Sequence, residues 1–132
     1  MKKTMSMIAA AMIMVAVAAS GKTADDVMKN DNGTYVVNTA TLAKDVRGFR
    51  GPTPLKIYIK KNKVERIEAL SNGETPKFFA RVESVLLTKW NGMKVSKALE
   101  TEVDGVSGAT MSSKAVKENV KRGLRYYQKN KK

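Results

Sequence analysis

Leu55-Lys56-Ile57-Tyr58-Ile59-Lys60-Lys61-Asn62-Lys63-Val64-Glu65-Arg66-Ile67-Glu68-Ala69-Leu70 is the stretch on which the fold turns. Leu55, Ile57 and Ile59 alternate strictly with more polar neighbours, the period-2 pattern of a strand with one buried face. Lys61-Asn62-Lys63 turns the chain, and Val64 to Leu70 is the returning strand. Its alternation is broken: Val64 and Ile67 fall out of phase, whereas Ile67 and Ala69 agree. A β-bulge near Arg66 accounts for the slip. Upstream, the β-branched run Thr34 to Thr39 is a further short strand.

Downstream the period changes. Ser71-Asn72-Gly73-Glu74-Thr75-Pro76 is a polar loop, and Pro76 suits the first turn of a helix. Phe79, Val82, Leu86 and Trp90 carry that helix's apolar stripe, and Asn91-Gly92 stops it. A basic connection, Met93 to Lys97, leads through Val103 to Val106 into a turn at Ser107-Gly108. A last helix begins near Ser112 with Val116, Val120, Leu124 and Tyr127 on one face. The expected fold is α+β: a small antiparallel β-sheet packed with two helices.

The 132 residues suggest one domain, but the first 20 are set apart. Lys2 and Lys3 precede the apolar run Met5 to Ala18, and small residues follow, with cleavage expected after Ala18 or Ser20. This is the layout of a secretory signal peptide, and the run is short for a permanent anchor. The expected organisation is a signal peptide over 1–20, a lead-in and first strand over 21–40, and the main domain over 41–132. Removing Lys2 and Lys3 leaves 23 basic against 12 acidic side chains, a balance of +11. That favours anionic partners, or simply keeps a small exported protein soluble. The basic residues Lys121, Arg122, Arg125 and Lys129 to Lys132 crowd the end of the last helix.

Composition excludes much chemistry. With no Cys there is no disulfide, zinc-thiolate site, iron–sulfur cluster or cysteine nucleophile. With no His the commonest general base and metal ligand is missing, and ordinary triad catalysis with it. Redox work would have to rest on an organic cofactor. Ala16-Val17-Ala18-Ala19-Ser20-Gly21-Lys22-Thr23 is near a phosphate-binding P-loop but overlaps the leader and lacks the preceding buried strand.

Asp104-Gly105-Val106-Ser107-Gly108-Ala109-Thr110-Met111-Ser112-Ser113 is a small-residue turn running into a helix N-terminus. Free backbone N–H groups and the helix dipole there favour an anion such as phosphate. Ordinary capping by Thr110 or Ser112 would serve the same amides. The wording Asp-x-x-Ser-Gly-Ala-Thr, from Asp104 to Thr110, resembles the FMN-attachment motif of the FMN-binding domain family. Gly48-Phe49-Arg50-Gly51-Pro52, the hairpin Leu55 to Leu70 and Glu74-Thr75-Pro76 are similar to further elements of that family, in the same order.

The resemblance implies FMN joined through a phosphoester to Thr110, with FAD as donor and a flavin transferase as the attaching enzyme. Ser107, Gly108 and Ala109 would form the phosphate turn, and Asp104 would serve the transferase. Glu74 and Thr75 would lie near the ring or ribityl chain, though Glu74 could equally be an acid beside a helix start. Phe49, Phe78, Tyr58 and Trp90 could flank the ring or belong to the core. The implied function is electron transport by an exported, extracytoplasmic flavoprotein, an electron carrier more than a stand-alone enzyme. Its redox partner would be membrane-bound or extracytoplasmic, and the membrane surface itself a possible contact. Larger relatives in membrane complexes carry a transmembrane helix, so a free-standing carrier fits this chain better. Two other readings stay open: a sensory or regulatory domain holding FMN non-covalently, and a basic module for anionic polymers. Export and sparse aromatics argue against nucleic acid.

Overall fold

The computed structural model describes residues 27–132; the expected signal peptide lies outside them. Four strands form one antiparallel meander in the order β1 (Met28–Asp31), β2 (Thr34–Asn38), β3 (Leu55–Lys60) and β4 (Lys63–Ala69). Both tight turns, Asn32-Gly33 and Lys61-Asn62, take positive φ at both residues, as the twist of paired strands demands of a two-residue hairpin. Leu55, Ile57 and Ile59 are fully buried. Tyr58 pairs with Arg66 but Ile59 with Val64, leaving Glu65 as the extra residue of a bulge. The bulge restores phase, so Val64 and Ile67 both face the core despite their odd spacing.

Three helices cover one face. α1 (Pro76–Arg81) continues into a π-helical turn, Val82–Leu86, and Phe79, Val82, Leu86 and Trp90 are all buried. The short α2 (Val95–Glu100) occupies part of the expected basic connection and buries Val95 and Ala98. The segment before it seals the outer edge of β4, where Gly92 N–H donates to Val64 O and Val64 N–H to Met93 O. α3 (Thr110–Asn130) packs across β2 and β3 and begins two residues before the expected start near Ser112. The α+β class therefore holds, with a third short helix and with a strand, β1, inside what the sequence suggested was an irregular lead-in. Among the described residues no helix is long and apolar enough to cross a membrane.

Two features fix where α3 lies. Asn119 is fully buried; its amide donates to Ala115 O (2.9 Å) and Thr53 Oγ1 (3.4 Å), and its Oδ1 accepts from Thr39 Oγ1 (2.5 Å). Thr39 Oγ1 in turn accepts the Leu55 N–H at 2.9 Å, so a satisfied polar network ties the helix to the start of β3. At the far end Tyr127 Oη donates to Asn62 Oδ1 at 2.5 Å and Lys131 Nζ donates to the same atom at 3.0 Å. Between them Gly123 lets the helix touch the sheet: a Cβ there would lie 2.6 Å from Ile57 Cδ1 and 3.0 Å from Thr39 Cγ2.

Gly123→Val should therefore lower stability by about 1–3 kcal/mol through overpacking. The measurement is a urea melt: a fall in midpoint with an unchanged slope is expected, and an unchanged midpoint would show that the contact yields at no cost.

Candidate functional site

Three loops that are distant in sequence meet on one carboxylate. Glu74 is buried, and its Oε1 accepts the Phe49 N–H at 3.0 Å while Oε2 accepts the Arg50 N–H at 2.5 Å. Ser112 Oγ, in the first turn of α3, also donates to Oε1. Glu74's own N–H is held by Asn72 Oδ1 at 3.0 Å. The turn that brings the Phe49 and Arg50 amides inward is closed by Gly48 N–H donating to Gly51 O at 2.7 Å. Gly48 has no room for a side chain, since its Cβ would lie 2.7 Å from Glu74 Oε1. Gly51, at φ 150°, takes a conformation that side chains disfavour.

The turn before α3 is built as tightly. Gly108 takes φ 85°, and Ala109 N–H closes onto Val106 O at 3.0 Å. Ser113 Oγ accepts the Val106 N–H at 2.9 Å, holding the turn against the helix. Ala109 is the residue preceding the helix, and no side chain caps its N-terminus. The capping role open to Thr110 and Ser112 is thus filled by neither. Ser112 is turned inward to Glu74, and Thr110 is exposed with no hydrogen-bond partner for its hydroxyl among the described residues.

The loops enclose an open cleft of about 220 Å³ lined by Phe49, Glu74, Thr75, Phe78, Phe79 and Gly108 to Ser112. Its rim is unusual: Phe49 is 68% exposed, Met111 54% and Phe78 49%. Three large apolar side chains left in water around one cleft mark a binding surface. Aromatic faces at the rim suit a planar ring, and uncapped helix amides beside an exposed hydroxyl suit a phosphate. An FMN group fits these residues on both counts.

Of the residues singled out by sequence, Thr110, Gly108, Ala109, Glu74 and Thr75 line the cleft, whereas Ser107 and Asp104 are exposed outside its lining. Among the aromatics, Phe49 and Phe78 belong to it, but Trp90 is core. Tyr58 lies on the outer sheet face beneath Arg66, 3.8 Å from its ring centroid, and donates to Glu68 at 3.0 Å. Burial, aided by Glu68, pushes the Tyr58 hydroxyl above its ordinary range. Met111 and the Ser112–Glu74 link were missed; the exposed apolar residue beside the motif was their faint signal. Arg122 does not join a free basic face: it donates to Asp45 (2.7 Å), Glu118 (3.0 Å) and Leu42 O (3.1 Å), and its hydrogen bond holds the Asp45 carboxyl below its usual range. Among the described residues no acidic cluster is placed to hold a metal ion.

No curated protein and no solved structure matches the chain. The family described as FMN-binding domain matches residues 48–125, more than half of the chain and all three loops of the cleft. The chain belongs to the FMN-binding domain family.

Proposed function

We propose that the protein carries FMN covalently through Thr110 and serves as an electron carrier outside the cytoplasmic membrane. One observation carries this reading. Of the four hydroxyls around the motif, Ser112 and Ser113 are buried and bonded, to Glu74 and to the Val106 N–H. Ser107 stands outside the cleft lining, which leaves Thr110 as the exposed hydroxyl within it. Attachment would form a bond from Thr110 Oγ to the flavin-side phosphorus of FAD. The diphosphate linkage breaks, AMP leaves, and the hydroxyl proton passes to the flavin transferase and solvent. Bound FMN supplies one- and two-electron chemistry, which no side chain of this chain offers. The uncapped amides at the start of α3 would hold the phosphate, with Gly108 and Ala109 allowing the close approach. Phe49, Phe78 and Met111 would shelter the ring, and Glu74 would keep the three loops in register.

The electron-transport role rests on the composition, which leaves redox work to a cofactor, and on the leader-like first residues. A sensory domain holding FMN non-covalently shares the cleft but has no use for the exposed hydroxyl, and a basic polymer-binding module has no use for the cleft.

Thr110→Val should abolish flavin that survives denaturation when the protein is co-expressed with a flavin transferase, whereas Thr110→Ser should retain it. Intact mass reads both. Because Thr110 makes no capping bond, stability should change by no more than about 0.5 kcal/mol. Denaturation-resistant flavin on the valine variant would remove Thr110 as the site.

Glu74→Gln replaces an acceptor of three hydrogen bonds by an amide that cannot accept them all. It should cost roughly 1–3 kcal/mol in a urea melt and weaken flavin loading. Unaltered stability would show that the three loops hold together without the carboxylate.

Protein recovered from the native cell should begin after Ala18 or Ser20 by N-terminal sequencing. Mature material beginning at Met1 would remove the export step.

A further inference from the structure

Arg81 closes α1, one helical turn beyond the cleft residue Phe78. Its guanidinium reaches across to the phosphate turn: a side-chain carbon built on Gly108 would meet Arg81 Nη1 as its nearest neighbour, at 3.8 Å. None of the ion pairs among the described residues includes Arg81, whereas Arg66 and Arg122 are both paired with acids. An exposed guanidinium with no ion-pair partner among the described residues thus stands next to Gly108, two residues before Thr110.

The charges of the cleft explain why a cation belongs there. A phosphodiester on Thr110 carries one negative charge and would share the cleft with the carboxylate of Glu74. The start of α3 offers only about half a unit of positive charge against these two anions. Two anions in one cleft repel unless a full positive charge stands beside them. Guanidinium is the side chain best matched to phosphate oxygens, because its N–H groups lie in one plane and bond in pairs.

We infer that Arg81 is a phosphate-binding residue of the flavin site, neutralising the phosphodiester across the gap left by Gly108. The inference rests on the reading of Thr110 as the attachment point. It also gives Gly108 a second role: apart from its φ of 85°, a side chain there would pack against the Arg81 guanidinium at the face proposed to meet the phosphate.

The test uses full-length protein co-expressed with a flavin transferase, with intact mass first establishing flavin on Thr110. In ¹⁵N-arginine-labelled wild type, the Arg81 Nε–H cross-peak, assigned by its absence from unloaded Arg81→Lys, should shift between unloaded and loaded protein. In loaded protein the ³¹P resonance of the phosphodiester should shift in Arg81→Gln and stay in place in Arg125→Gln. Arg125 is fifteen residues along the same helix, about 22 Å from Thr110, and controls for general charge loss. Denaturation should abolish the ³¹P difference. The cross-peak comparison needs no loaded variant, only wild type with and without flavin, so it decides the matter even where Arg81→Gln loads poorly. An Arg81 cross-peak unmoved by loading, or a ³¹P resonance unchanged in Arg81→Gln, would overturn the inference while leaving covalent attachment intact. Absence of flavin from Thr110 in the wild type would instead overturn the attachment itself, and this role with it.

Discussion

The buried carboxylate of Glu74 holds the site together. It has no cationic partner among the described residues, and its burial is sustained by the Phe49 and Arg50 amides and the Ser112 hydroxyl. A charge taken out of water without such donors would cost several kcal/mol. Two donors come from the glycine turn and one from the head of α3, while the carboxylate itself belongs to a third loop, so none of the three can move without costing the carboxylate a partner. The glycine turn, the Glu-Thr-Pro loop and the start of α3 are in this sense one structural unit. Gly48 belongs to it too, because its lack of a side chain is what lets the turn close over the carboxylate.

The rest of the fold delivers α3 to that point. The helix is clamped at three heights: Ser112 on Glu74, Asn119 on Thr39 and Thr53, and Tyr127 on the Asn62 turn. At 21 residues it is about 30 Å long, so its basic end lies several screening lengths of about 8 Å from the turn at Gly108. Charge there cannot tune a group on Thr110; its use is confined to what approaches the molecule from outside, and Arg122 is already committed to Asp45 and Glu118. The cation that matters to the site comes from α1 instead.

What the sequence made legible is what local chemistry determines. The β3–β4 hairpin was written in the alternation of Leu55, Ile57 and Ile59, and even its bulge showed as a phase slip between Val64 and Ile67. β1 was hidden because Met28-Lys29-Asn30-Asp31 has no strand-forming residues; the Asn32-Gly33 turn zips it onto β2. α2 was hidden because six residues are too few for a helical period to stand out from the charges of Lys94 and Lys97. At the site, the motif pointed to Thr110, but the destination of Ser112 and the reach of Arg81 depend on long-range packing. Serine near a helix start suggests a cap, and here a buried acid 38 residues away claims it.

That claim has a consequence for how the helix begins. A side-chain cap is commonly worth about 1 kcal/mol, and this chain places a threonine and a serine in the first turn of α3 without using either as one. Departures from local rules of this kind gather where a structure serves something other than its own stability. Ser112 is drawn inward to complete the Glu74 shell, and Thr110, two residues earlier and so on the opposite side of the helix, is left outward with its hydroxyl free. A cap would have satisfied amides that are left free to donate to an anion. Leaving them open forgoes a small local stabilisation and keeps, within one turn, an exposed hydroxyl, free donors and a neighbouring guanidinium.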